Sequence, residues 1–271
     1  MTADERLALI RIKIERAKEH IDDLKPVVDA FRFSLTQPDV IGSKSNPQTG
    51  EFTFYIIDLP KAPATLSTIS GDALHNLRSS LDHLAHQLVL VAGKKPTLRT
   101  SFPIFESATK YKAKSPGKVE GMRKDAIDAI DAIKPYKGGN DTLWLLNKLN
   151  NIDKHRLLIA VGYSNYFRSI TPSERAAIKK TFAGSRGRDV PFPYPDGTDL
   201  FVPFKAPIFP LKAGDELLTI PGSEVEEELK CNFIVAFGEP GVGEGKPLLE
   251  TLQQMVNLVD NIVLTFRPLL A

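Results

Sequence analysis

Hydrophobic residues recur at alternating intervals of three and four near both ends of the chain and in its second quarter, the spacing of a one-sided apolar helix. We predict helices there over 3–33, 64–92 and 247–267. Two further helices are predicted over 119–134, where Asp-Ala-Ile occurs three times in succession, and over 141–162, behind a capping sequence at Asn140. Proline lacks a backbone donor and clashes with the preceding turn, so we expect the first helix to be kinked or interrupted at Pro26.

The segments between these helices favour strands. Turn-forming residues followed by aromatic and β-branched residues predict a hairpin in segment 36–58, and strand candidates in segment 184–237 lie at 201–204, 217–220 and 230–237. Strands and helices do not alternate regularly, which disfavours a doubly wound parallel sheet. The predicted fold class is α+β: a bundle of long amphipathic helices with a small, mostly antiparallel sheet inserted. No useful linker divides the chain, so 1–271 is predicted to form a single domain.

Composition narrows the functional classes. Thirty-five basic residues against thirty-three acidic residues leave a net charge of +2, which excludes a strongly basic nucleic-acid coat. No apolar run approaches the ~18 residues of a membrane span, and the first residues do not resemble a signal peptide. Cys231 is the only cysteine, which excludes an internal disulfide and a paired-cysteine zinc site. We expect a cytoplasmic protein that does not contact a membrane.

The second predicted helix carries the most informative chemistry. Its polar side gathers four residues opposite the leucine stripe and two at the edges, namely His75, Ser79, Asp82 and His86, with Arg78 and His83. The stretch 62–93 contains no lysine or glutamate, although a solvated helix face is normally rich in both. One interpretation is that this face is reserved for a reactant. The alternative is that these groups form hydrogen bonds with neighbouring helices.

A second polar cluster lies in the helix predicted over 141–162. Asp153, His155 and Arg156 stand between apolar segments that make this helix hydrophobic nearly all round. Buried charges need partners, and the polar face of the second helix offers them. We therefore predict that the two helices share one polar network, which is either an active site or a structural ion-pair network.

Arg78-Ser-Ser-Leu-Asp-His83 has the spacing Arg-x4-His on a predicted helix of a bundle. It resembles the signature of the HEPN-type ribonucleases (higher eukaryotes and prokaryotes nucleotide-binding). The resemblance implies a homodimer that cleaves RNA without a metal or another cofactor. Arg78 would then stabilise charge on the phosphoryl oxygens and His83 would transfer a proton. Ser79 departs from the family, in which Asn, Asp or His is frequent at that position.

Two other functions stay open. His75, Asp82, His86 and His155 are legitimate metal ligands on facing helices, although neither His-Glu-x-x-His nor Glu-x-x-His is present. The chain would then be a metal-dependent bundle enzyme. The other alternative is a non-catalytic ligand-binding or interaction protein whose polar cluster is structural. The segments 71–89 and 149–162 also resemble bacterial proteins of similar length that have no assigned function.

Overall fold

The structure is a computed structural model that describes residues 1–154, 160–169, 199–202, 209–222 and 230–271. Within these residues the α-helices are α1 (Ala3–Leu35), α2 (Ala64–Val91), α3 (Ala108–Lys114), α4 (Lys124–Ile133), α5 (Asp141–Asp153) and α6 (Leu248–Thr265). A short 3-10 helix follows at Arg267–Leu270. The strands are β1 (Ile41–Asn46), β2 (Glu51–Ile56), β3 (Ala160–Ser169), β4 (Asp199–Val202), β5 (Glu216–Pro221) and β6 (Lys230–Phe237). The predicted α+β class is confirmed.

The chain divides into two compact units, and the first is helical. It comprises Met1–Asp29, Ala62–Ala160 and Ala236–Ala271. Helix α2 packs against α5 and α6 and is the central element of this unit. Its leucine stripe is fully enclosed, with Leu74, Leu77, Leu81, Leu84 and Leu88 all buried. Burial of such side chains contributes about 1.5–3 kcal/mol each, so this stripe is a main source of stability.

The first helix confirms its predicted stripe. All eight apolar positions are buried, namely Leu7, Ile10, Ile14, Ala17, Ile21, Leu24, Val28 and Phe31. The helix is not interrupted at Pro26, because it continues to Leu35 with proline inside it. Burial of Leu24 and Val28 on either side offsets the loss of one backbone hydrogen bond. Arg11 anchors the helix to α6 through paired contacts with Asp260, at 3.1 and 3.3 Å.

The second unit comprises Ala30–Lys61 and Val161–Val235. One antiparallel sheet has the order β1-β2-β5, which confirms the predicted hairpin. In it, Thr53 lies opposite Thr219 and the two hydroxyl oxygens are 3.0 Å apart. The other sheet has the order β4-β3-β6, and β3 and β4 are antiparallel. The assignment of 1–271 to a single domain stays a prediction.

The helix predicted over 141–162 is wrong in its second half. It ends at Asp153, and Ala160 begins strand β3. An apolar run such as that ending at Val161 fits a buried strand as well as a buried helix, and periodicity does not separate the two. The capping sequence Thr171-Pro172-Ser173-Glu174 predicts a further short helix, but that stretch lies outside the described residues, as do the strand positions 203–204.

The region 94–134 also differs from expectation. Helix α4 begins at Lys124 and not at 119. Turn-forming residues such as Ser115-Pro116-Gly117 predict irregular structure over 94–118, but a two-turn helix, α3, forms there. Ser107 caps it by accepting a hydrogen bond from the backbone N–H of Lys110 at 3.3 Å. Only Tyr111 of α3 is buried, which leaves too few apolar positions for a periodic signal. Among the described residues, no helix is long and apolar enough to cross a membrane.

Candidate functional site

Helix α2 carries most of the predicted site residues, and its polar face is divided between two neighbours. Arg78 and His83 lie five positions apart, which places them about 140° apart around the helix axis. The Arg78 side chain contacts α5 and the backbone at Phe102. His83 lies within electrostatic reach of Lys13 on α1. The predicted catalytic pair is therefore directed toward different neighbours in one chain.

Arg78 is the centre of a hydrogen-bonded network. Its Nε donates to Asn147 Oδ1 at 3.0 Å, its Nη1 to Asp82 Oδ1 at 2.8 Å, and its Nη2 to the Phe102 carbonyl oxygen at 2.9 Å. The side chain is only 13% exposed. Asp82 Oδ1 also accepts the backbone N–H of Phe102 at 2.9 Å. The network, which we call the Arg78 network, joins α2, α5 and the segment at Phe102.

The charge of Arg78 is maintained by its neighbour. Burial lowers the pKa of the Arg78 guanidinium, and the adjacent Asp82 carboxylate opposes that shift. Arginine stays protonated even so, because the ordinary pKa of its guanidinium lies far above neutral pH. Each guanidinium nitrogen already donates to an acceptor of this chain. Arg78 would have to give up some of these contacts to clamp a phosphate.

The histidines of α2 are more accessible to solvent than Arg78. His75, His83 and His86 are exposed and Ser79 is half-buried. Partial burial lowers the pKa of His83, and the positive charges of Lys13 and His86 lower it further, against the opposing effect of Asp82. The His83 imidazole is therefore mainly neutral at neutral pH and can accept a proton.

Asp153 lies apart from the Arg78 network. Its carboxylate sits so close to the α2 backbone that a Cβ added at Gly71 would overlap both oxygens. Burial raises the pKa of Asp153, the nearby Asp72 carboxylate raises it further, and His75 opposes the shift. The structure thus places Asp153 near His75 and not in the Arg78 network, while His155 and Arg156 lie outside the described residues.

Replacing Asp153 with asparagine is expected to stabilise the protein at pH 7. The folded-state pKa of Asp153 is raised above its ordinary value of 3.8, so the folded state binds this proton more tightly than the unfolded state. The free energy of unfolding of the parent protein therefore falls as the pH rises from about 3.8 through the higher folded-state pKa of Asp153. Urea unfolding of both proteins between pH 3 and pH 8 should show an advantage for Asp153→Asn that shrinks toward acid pH. An advantage that grows toward acid pH would contradict this assignment.

The residues proposed as metal ligands do not gather. Among the residues that the structure describes, no group of three or more histidine, cysteine, aspartate and glutamate side chains is placed to hold a metal ion. Asp82 already accepts hydrogen bonds from Arg78 and from the backbone N–H of Phe102. His155, the fourth predicted ligand, is outside that part of the chain. The metal-dependent alternative therefore has no ligand set in the described helices.

A half-open cavity of about 560 Å³ lies beside α3 and α4 in the helical unit. We call it the Tyr111 cavity. Its lining combines aromatic, aliphatic and charged side chains, including Tyr111, Lys112, Glu120, Ile127, Asp131 and Tyr136. Lys112, Glu120 and Asp131 are exposed, whereas Tyr111 is buried. The cavity therefore has an aromatic wall with charged groups open to solvent.

Tyr111 fixes the geometry of that wall. Its hydroxyl donates to Asp131 Oδ1 at 2.6 Å, and its ring packs against Tyr136 with the centroids 5.5 Å apart. Phe105 supports the ring from another direction, edge-on at 6.0 Å. Burial raises the pKa of Tyr111, and the hydrogen bond to Asp131 raises it further. The phenol therefore remains a proton donor that holds the Asp131 carboxylate in place.

Sequence reasoning missed the Tyr111 cavity, although a signal exists in the Asp-Ala-Ile repeat. The three aspartates of α4 have identical local sequence but different contacts. Asp125 accepts the backbone N–H of Ala126 at 2.8 Å, and Asp128 pairs with Lys124. Only Asp131 reaches a tyrosine from another helix. The aromatic residues Phe105, Tyr111 and Tyr136 on either side of this repeat are the feature that could have indicated a site.

Comparison with known proteins identifies no relative of this chain. No protein-family model, no curated protein and no solved structure matches the chain.

Proposed function

We propose that the protein is a non-catalytic ligand-binding protein in which the Arg78 network is structural and the Tyr111 cavity is the binding site. The observation that carries this proposal is the engagement of all three guanidinium nitrogens of Arg78 by acceptors of the same chain. A side chain held in this way stabilises a junction of helices. It is poorly placed to meet an incoming phosphate.

The Tyr111 cavity supports the binding half of the proposal. Ligand pockets commonly measure about 300–1,000 Å³ and combine apolar walls with a few fixed polar groups. The cavity has this size, and Asp131 is a fixed polar group because Tyr111 holds one of its oxygens. Such a site can bind a small molecule without changing it covalently.

A HEPN-type ribonuclease acting as a homodimer is the second candidate. One observation favours it: His83 and His86 are exposed on α2, and Lys13 is within electrostatic reach of His83. A neutral imidazole beside a cationic side chain could take the 2′-hydroxyl proton of RNA near a phosphate. In that case Lys13, and not Arg78, is the positive charge near the histidine.

RNA cleavage separates the two candidates. We expect the purified protein to leave single-stranded RNA intact in the presence of EDTA, and His83→Ala to behave in the same way. The measurement is gel analysis of a labelled RNA over hours, with His20→Ala, a histidine of α1, as the matched control. Metal-independent cleavage that is lost in His83→Ala but kept in His20→Ala, with unchanged melting curves, would replace the binding proposal by the ribonuclease.

A further inference from the structure

We propose that the Tyr111 cavity binds an organic ammonium compound with an aromatic or aliphatic body. This inference rests on the proposed binding function and names the chemical class of the ligand. It begins with the charge of the lining. Asp131 and Glu120 supply two carboxylates and Lys112 one ammonium, so the charged groups that line the cavity favour a cation.

The Asp131 carboxylate is arranged to accept a further donor. Tyr111 occupies Oδ1, and within the described residues no hydrogen bond is made to Oδ2. The side chain is exposed, so a ligand can reach it. The tyrosine hydroxyl restricts the rotation of the carboxylate, so the carboxylate loses less conformational entropy when a ligand binds. A primary ammonium group has donors that suit this free oxygen.

Glu120 and Lys112 do not cancel the effect of Asp131. Both side chains are exposed, and no ion pair joins either of them to another described residue. One is a carboxylate and the other an ammonium, so their charges offset each other at the cavity and Asp131 remains as the uncompensated carboxylate. Asp131 is the charged group that the protein holds in a fixed position beside the aromatic wall.

The rest of the cavity suits the body of such a ligand. Val119 and Ile127 line it together with the rings of Tyr111 and Tyr136. Apolar contact with these groups stabilises a hydrophobic body, and aromatic rings within about 6 Å also attract a cation. An apolar amine therefore satisfies the carboxylate and the wall at the same time, whereas an apolar acid satisfies the wall alone.

The test uses two probes that share a benzene ring and differ in charge: 2-phenylethylamine and 3-phenylpropionate. Calorimetric titration of the full chain at pH 7 should show binding of the amine with at least about tenfold preference over the acid. Asp131→Asn should remove that preference and weaken amine binding about tenfold. Asp128→Asn is the matched control, since Asp128 lies one helical turn away and is not among the residues lining the cavity. It should bind as the parent does.

Several outcomes would overturn the inference. No amine binding at about 10 mM, equal binding of both probes, tighter binding of the acid through Lys112, or an equal effect of Asp128→Asn would each do so. Glu120→Gln provides a second variant at an exposed position if Asp131→Asn does not fold, and a reduced preference for the amine is expected. RNA cleavage in EDTA would contradict the proposed function separately, whether or not the amine binds.

Discussion

Replacing Arg78 with alanine is expected to lower the free energy of unfolding by about 3 kcal/mol. The variant removes the donor to Asn147 and to the Phe102 carbonyl, and it leaves the half-buried Asp82 carboxylate without its cation. Breaking a buried pair commonly costs about 3–5 kcal/mol, and the 35% exposure of Asp82 places this site at the lower end of that range. Guanidinium unfolding followed by circular dichroism measures the change.

Two further variants give this experiment its controls. Arg78→Lys retains the charge but cannot serve three acceptors in one plane, so its loss should be intermediate. Arg16→Ala removes an exposed ion pair to Glu19 on α1 and should leave the free energy of unfolding unchanged within experimental error. An Arg78→Ala protein as stable as its parent would show that the Arg78 network is not structural.

Replacing Gly139 with alanine is expected to cost about 2–3 kcal/mol. A Cβ at this position would lie 2.5 Å from the carbonyl oxygen of Lys134 and 2.9 Å from the Tyr136 ring. That carbonyl already accepts the backbone N–H groups of Tyr136 and Asn140, so it cannot move freely. The turn must open, and the Tyr136 wall of the Tyr111 cavity must shift with it.

Gly138 is the natural comparison for this variant. Its φ is +84°, but an added Cβ would meet no atom within 4 Å. Gly138→Ala should therefore cost only the backbone strain, about 1 kcal/mol. Urea unfolding followed by the fluorescence of Trp144, the only tryptophan, reports on the helix that starts directly after this turn. Equal losses for both variants would contradict the steric explanation.

The helical core could be predicted from sequence because its signal is local. Buried residues such as Ile14, Leu81 and Val259 occur at intervals fixed by the helix itself. The α+β class followed from those helices and from one strong hairpin. The same reasoning failed at residues 160–162, which we predict to be helical and which lie in strand β3, because an apolar run does not show whether it is helical or extended.

The candidate site was less accessible to such reasoning, because its geometry depends on loops. Sequence placed Arg78 on the correct helix but could not supply the Phe102 carbonyl, a backbone group with no sequence signature. Tyr111 and Asp131 lie 20 positions apart on two short helices, and their hydrogen bond forms only once the intervening turns have folded. Hydrophobic periodicity does not predict helices this short, because they contain too few apolar positions to show a repeat.

The interleaving of the two units has a consequence for the order in which the chain can assemble. The helical unit draws on three separate stretches, and the last of them, Ala236–Ala271, includes the helix that packs against α2. During synthesis this unit can be completed only after its third stretch has left the ribosome, long after its first two stretches have emerged. Neither unit can be excised as one continuous fragment, and engineering either alone requires new connections, such as one from Asp29 to Ala62.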